Sequence, residues 1–195
     1  MRIIGITGGI GSGKSVVSRI LHAMSIPVYD CDKQAKRLMQ TDPHIINEIV
    51  ALLGNDAYLS TGELNKSLLA EYLFAKSENM KRINDIVHPR VRADLRKQCT
   101  EAAKHGTRSM AFETAILYES GFAAEATETW YVTAPLSLRI QRITRRDRCE
   151  EAQALQRIHR QLPEQEILTQ HNPDTIIRNG ANDALLPQIL TILKL

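Results

Sequence analysis

The chain has 195 residues, 43% of them hydrophobic and 24% charged, with 25 basic against 22 acidic side chains and a formal charge of +3. At roughly 150 residues per domain this is one domain, or one domain with a modest insertion. Its 10 glycines and 7 prolines are too few for a disordered or collagen-like chain. The faint basic balance admits a polyanionic ligand but lacks the basic stripe of a nucleic-acid binder, so no nucleic-acid partner is expected. Cys31, Cys99 and Cys149 are odd in number and have no C-x-x-C spacing, which argues against a disulfide framework and a cysteine zinc site. No run approaches the roughly 18 apolar residues of a membrane span. The expectation is a reduced, cytoplasmic, soluble protein with no membrane partner, monomeric or weakly self-associating.

Residues 2–7 read RIIGIT, an apolar, β-branched run suited to a strand buried in a parallel sheet. Glycines follow at Gly8, Gly9, Gly11 and Gly13, and residues 14–24 have helical spacing through Val17, Ile20, Leu21 and Met24. Residues 26–29 are the next strand, with Asp30 and Asp32 at its carboxyl end. Residues 32–108 are mainly helical in pattern. Thr41-Asp42-Pro43 opens one helix that Gly54 stops, and residues 65–73 and 79–87 form two more. Pro89 opens a further helix running to about residue 105. This is more than a crossover needs, and it reads as an inserted substrate-binding region.

Residues 109–112 and 129–133 are further core strands. Residues 135–146 form a helix rich in arginine, and residues 150–162 and 164–171 form helices separated by Pro163. Residues 175–178 are a last strand, and residues 183–193 a closing helix. Strands alternating with helices predict an α/β fold with a parallel sheet.

Gly8-Gly9-Ile10-Gly11-Ser12-Gly13-Lys14-Ser15 matches G-x-x-x-x-G-K-[ST] in the strand–loop–helix setting it requires. Glycines let the backbone approach a ligand closely. The loop N–H groups and the positive end of the following helix then converge on phosphate oxygens. Lys14 is placed to reach the outer phosphates and the Ser15 hydroxyl to hold Mg²⁺. A dinucleotide-binding loop is disfavoured, because Lys14 intrudes where that fold packs helix on strand. The reading is a P-loop core that binds a nucleoside triphosphate.

Two further signals bear on what receives the phosphate. In an extended segment Asp30 and Asp32 would point the same way, one aiming an acceptor hydroxyl and the other organising Mg²⁺. The alternative is that Asp32 caps a helix, and the two readings stand level. Cys31, between two acids, is read as packing rather than as a nucleophile. Arg139, Arg142 and Arg146 share one helical face. At least one is expected to stabilise the charge of a transferring phosphoryl group; for the other arginines of this region a solvated basic face suffices. Trp130 lies on a core strand and is read as packing.

In this order of motifs the chain resembles the dephospho-coenzyme A kinase family over nearly its whole length. The resemblance is carried by Thr7 through Ser15, by Asp30-Cys31-Asp32 at an Asp-Ala-Asp position, by His88-Pro89, by Glu113-Thr-Ala-Ile-Leu-Tyr-Glu119, by the arginine helix to Asp147, and by Asp174 through Gly180. It implies a single P-loop kinase domain, residues 1–195. The core sheet would comprise about residues 1–31, 109–135 and 172–195, with a helical substrate region at about 32–108 and a mobile lid at about 139–171. It implies an ATP- and Mg²⁺-dependent kinase that phosphorylates the ribose 3′-hydroxyl of dephospho-CoA, the last step of coenzyme A synthesis.

By the same resemblance Asp32 is the general base, and Lys14, Arg142 and Arg146 act in catalysis. Gly9, Gly11, Ser12, Gly13, Lys14, Ser15, Val16, Arg142 and Asn179 bind ATP, with Asn179 near the adenine. Asp32, Lys36, Arg37, His88 and Glu119 serve the substrate, and Ser15 and Asp30 the magnesium. The family often has arginine at the position of Lys36, and one of Lys36 and Arg37 is expected to reach the substrate. Ala115 stands where proline is usual. Glu113 is open between organising magnesium and lying at the surface, and His88 between touching substrate and capping or packing. The rival functions are another small-molecule P-loop kinase, with a nucleoside monophosphate or shikimate-like acceptor, and a nucleotide-driven switch. No N-K-x-D guanine-reading motif supports the switch.

Overall fold

The computed structural model describes residues 1–194. In chain order the elements are β1 (Arg2–Thr7), α1 (Lys14–Ala23), β2 (Val28–Asp30), α2 (Cys31–Thr41), α3 (Pro43–Leu53), α4 (Lys66–Ala75) and α5 (Ser77–Lys104). There follow β3 (Ser109–Glu113), β4 (Glu128–Thr133), α6 (Leu136–Asp147), α7 (Glu151–His159), the short α8 (Glu164–Glu166), β5 (Thr175–Arg178) and α9 (Leu185–Leu193). A π turn, Ile167–His171, continues α8.

The chain divides into two compact units. Met1–Asp30 with Cys99–Leu195 form one, and Cys31–Gln98 the other.

The first unit holds a five-stranded sheet in the order β2-β3-β1-β4-β5, with every pairing parallel. Parallel strands need crossover connections and bury both faces, which is why RIIGIT and TWYVT read as nearly continuous apolar runs. Ile4, Ile6, Val17, Leu21, Trp130 and Ile177 are all 0% exposed and belong to one cluster. Trp130 is therefore packing, as its strand position implied. The loop after β1 emerges at the carboxyl edge of the sheet, where ligands of open α/β sheets bind.

In the second unit Asp42 is the N-cap of α3. Its carboxylate accepts from the amides of His44 and Ile45, and Pro43 follows it. Burial pushes the Asp42 carboxyl up, but Arg90 and these two amides outweigh it and hold the group below its usual range. Asn65 caps α4 through the Leu68 amide.

One expectation fails here. Pro89 does not open a helix but lies inside α5, a single helix of 28 residues. The proline removes one N–H, so the Asp85 carbonyl loses its usual helical donor. Both residues are exposed, so water can serve that carbonyl and the helix runs on. The closing helix begins at Leu185 rather than at residue 183.

Candidate active site

The carbonyls of the loop from Gly8 to Gly13 meet donors from inside and outside the loop. Lys14 Nζ donates to Gly8 O at 2.7 Å and to Gly9 O at 3.3 Å. Arg139 Nε donates to Ile10 O at 2.9 Å. Arg142 Nη1 reaches Gly11 O at 3.2 Å and Ser12 O at 3.3 Å, and Asn179 Nδ2 donates to Ser12 O at 2.7 Å. The negative ends of the peptide dipoles are thus met by three cations and one amide. Of the amides, that of Ile10 donates to Gln161 and that of Ser12 to Gly9 O; the loop stands at the amino end of α1, where the helix dipole favours an anion.

The glycines are needed for this closeness. At Gly11, with φ of +79°, a Cβ would stand 2.7 Å from the Arg139 carbonyl oxygen. At Gly13, with φ of +98°, it would collide with the Asn179 amide. The Ser12 hydroxyl is 1% exposed and has no hydrogen-bond partner among the described residues. An unpaired buried hydroxyl costs stability, and a phosphate oxygen in the loop would satisfy it.

The inner part of α6 therefore serves the loop. Arg139 is 8% exposed, a position where a cation must be paired or hydrogen-bonded. Arg142 adds Asn179 O at 3.0 Å and Asn179 Oδ1 at 3.4 Å through Nη2, tying the loop to the segment after β5. Arg146 is not brought to the loop. It pairs with Asp147 at 2.8 Å and is 61% exposed, and Arg157 meets the same carboxylate at 2.5 Å. Arg146 first, with Arg157 adding to it, holds the Asp147 carboxyl below its usual range, against burial, which pushes it up.

At the carboxyl edge, Asp30 and Glu113 are register partners on β2 and β3. Ser18 donates to Glu113 Oε2 at 2.6 Å, which fixes that carboxylate one turn along α1 from the exposed Ser15. Val16 lies in the same turn, its amide donating to Gly13 O at 2.9 Å. Two carboxylates and a hydroxyl are hard oxygen donors, and Mg²⁺ is commonly held by one or two carboxylates with phosphates and water completing the shell. The residues fit a nucleotide-borne magnesium. Glu119 is exposed on the loop after β3.

The paired reading of Asp30 and Asp32 needs correction. The strand ends at Asp30 and α2 begins at Cys31, so the extended alternation that aligned the two acids is absent. Asp32 is exposed in the first turn of α2, where a carboxylate complements the helix dipole. Cys31 is 4% exposed, consistent with packing. Lys36 lies one turn on, on the same helical face as Asp32. Arg37 is held by Gln34 at 2.5 Å and by Asp94 at 2.9 Å, whereas Lys36 has no such tie among the described residues. Half-buried His88 is held below its usual range by burial and then by Arg92, with Asp85 opposing. It is neutral at pH 7 and suited to hydrogen bonding rather than to pairing with a phosphate.

Two contacts were not readable from sequence. Arg139 binds a backbone carbonyl, a target with no sequence signature. Gln161, from the turn before α8, accepts from the Ile10 amide at 2.6 Å; only its place two residues before Pro163 hinted at a fixed turn.

Comparison with known proteins gives one answer. Residues 2–184 match the family model of dephospho-CoA kinase. A dephospho-CoA kinase of Bacteroides fragilis is 44% identical over 190 residues, spanning 97% of this chain and 90% of its own. Another, from Porphyromonas gingivalis, is 37% identical, spanning 100% and 94%. Among solved structures, a Thermus thermophilus protein has a TM-score of 0.80 at 28% identity, covering 99% and 96% of the two chains. Dephospho-CoA kinase from Campylobacter jejuni has a TM-score of 0.72 at 22% identity, covering 100% and 96%, and supports the fold. The expected architecture, an α/β kinase core with a parallel sheet and a P-loop, is the one observed. A match that runs from residue 2 to residue 184 takes in every strand of the sheet, and the chain belongs to the dephospho-CoA kinase family.

Proposed function

We propose that the chain transfers the γ-phosphoryl group of ATP to the ribose 3′-hydroxyl of dephospho-CoA, yielding coenzyme A and ADP. The observation that carries this reading is the loop whose carbonyls are capped by Lys14, Arg139, Arg142 and Asn179 at the amino end of α1, with the buried Ser12 hydroxyl left unpaired within it. Gly9, Gly11, Ser12, Gly13, Lys14, Ser15 and Val16 take the phosphates. Asn179, held by Arg142, borders the base of the nucleotide. Ser15 and Asp30 hold magnesium, with Glu113 fixed beside Asp30; when bound, the ion neutralises charge that develops on the phosphate oxygens.

Asp32 is the general base in this reading. An ordinary aspartate, with a pKa near ~4, is a weak base. In a loose transition state the hydroxyl proton leaves late, so Asp32 contributes mainly by aiming the acceptor. Residues 32–108 take the acceptor, with Lys36 as the cation offered to its anionic groups, His88 as a neutral hydrogen-bonding side chain, and Arg37 and Glu119 nearby in role. Residues 139–171 act as a lid that excludes water, with Arg146 at its outer part. The same proposal takes the protein to work in the cytoplasm as a monomer or weak self-associate. Among the described residues no helix is long and apolar enough to cross a membrane.

A coupled ADP-release assay tests the reading. Dephospho-CoA is expected to give rapid turnover, while shikimate and nucleoside monophosphates give none above the rate without acceptor. Equal rates with every acceptor, or turnover only with one of the others, would remove the assignment.

A further inference from the structure

We propose that Gln161 is a positioning residue for phosphoryl transfer, acting through the tip of the phosphate loop rather than by touching substrate; this rests on the function proposed above. Ile10 is held on both sides. Its carbonyl accepts from Arg139 Nε at 2.9 Å, and its amide donates to Gln161 Oε1 at 2.6 Å. The two peptide planes that meet at the Ile10 Cα are thereby fixed by two side chains from different parts of the chain. Gln161 Nε2 also makes a long contact to Ala115 O at 3.4 Å. One side chain so links the loop after β1 to the loop after β3, which begins beside Glu113.

Gln161 is itself held in place. Three residues on, Glu164 Oε1 accepts from Thr133 Oγ1 at 2.7 Å. The buried Tyr131 phenol lies near the same carboxylate; burial first, then the Glu164 charge, pushes it above its ordinary range. The turn bearing Gln161 is therefore pinned to the carboxyl end of β4. Without the Gln161 oxygen, the Ile10 amide loses its acceptor, and the Gly9–Ile10 peptide is held only through Gly9 O, by the Ser12 amide at 3.0 Å and Lys14 Nζ at 3.3 Å. The tip of the loop, and with it the run from Gly11 to Ser15, would then be less narrowly placed. Small misplacements of a phosphate-binding group are costly in rate, although no bond to substrate is lost.

Gln161→Met has nearly the same shape and no amide. Gln161→Glu keeps an oxygen acceptor for the Ile10 amide. In native-state amide exchange of the nucleotide-free protein, Gln161→Met is expected to speed exchange at Ile10 by about tenfold or more, with Gln161→Glu close to the wild type. In turnover, Gln161→Met is expected to lower kcat by about 10- to 100-fold with the KM for dephospho-CoA little changed. Gln161→Glu should recover most of that kcat, its added negative charge showing in the KM for ATP. Wild-type exchange at Ile10 in Gln161→Met, or fast exchange with unchanged kcat, overturns the proposal. So does Gln161→Glu behaving like Gln161→Met in both measurements. The exchange arm needs no acceptor. A wild type inactive on dephospho-CoA would therefore fail the proposed function while the Gln161–Ile10 link is still judged on its own.

Discussion

The two ends of α6 carry the same residue type and use it in opposite ways. At the inner end, Arg139 and Arg142 turn to the phosphate loop and spend their N–H groups on the backbone carbonyls of Ile10, Gly11 and Ser12. At the outer end, Arg146 and the neighbouring Arg157 share Asp147 in a solvated cluster. Counting arginines does not separate these uses; burial of the guanidinium does, Arg139 being 8% exposed and Arg146 61%. A carbonyl taken out of water needs a partner, and a planar guanidinium can serve several at once. Arg146 and Arg157, 61% and 45% exposed, already have water, and their shared ion pairs add little.

The comparison breaks first at Arg142. Arg142→Ala leaves the carbonyls of Gly11 and Asn179 without that donor, at about 1–3 kcal/mol for each buried acceptor left unpaired. The expected loss in kcat/KM is about 100-fold or more, as for removal of a preorganised electrostatic group. Arg142→Lys should not restore it, since an ammonium cannot span the same set. Near-normal kcat/KM in Arg142→Ala, measured by ADP release, would mean that the inner arginines are dispensable.

Arg139→Met comes next. It keeps much of the buried bulk and removes the donor to Ile10 O. Stability should fall by about 1–3 kcal/mol, read from the urea midpoint, with a smaller loss of turnover than at Arg142. A variant as stable as the wild type would show that the Ile10 carbonyl needs no cation.

Arg146→Ala sharpens the contrast from the other side. Its guanidinium is 61% exposed and Asp147 keeps Arg157, so the expected change in stability is within about 0.5 kcal/mol. If phosphate binding rests on the inner pair, ATP affinity should stay close to the wild type. A loss of affinity as large as that of Arg142→Ala would erase the distinction between the two ends.

The smallest effect lies at the amino ends of β4 and β5, away from the loop. Asp174 accepts from the Thr129 amide at 2.7 Å and its hydroxyl at 2.9 Å, and these bonds hold the carboxyl below its usual range. A depressed folded-state pKa contributes stability above the unfolded value of about 3.9, lost as pH falls through the folded value. Urea midpoints should drop between about pH 5 and pH 3 by more in the wild type than in Asp174→Asn, with turnover at pH 7 nearly equal. Parallel pH curves for the two proteins would remove this contribution.

The parts legible in the sequence are those set by neighbours along the chain. The glycine spacing from Gly8 to Gly13 identified the phosphate loop because positive φ and close approach are local demands. Asp42 before Pro43, and Gly54 after the apolar face, marked the ends of α3 for the same reason. Sheet order was not legible, because β1 lies between β3 and β4 through pairings more than a hundred residues apart. Pro89 misled because a local rule was applied where a long helix has a solvated side. Asp30 and Asp32 misled because the strand ended at Asp30, where helix geometry takes over from alternation. The arginine face of α6 was visible, but its partners were backbone carbonyls, which every residue carries and no pattern marks. Gln161 was invisible for the same reason, its partner being the amide of Ile10.

The most direct test is a calorimetric titration of ATP with magnesium into the wild type and the Arg142→Ala and Arg146→Ala variants at one salt concentration. Saturable binding at one site is predicted for the wild type, near-equal affinity for Arg146→Ala, and affinity weaker by about 1.4 kcal/mol or more, a factor of ten, for Arg142→Ala. No heat with the wild type, or the same affinity in all three proteins, would contradict the account.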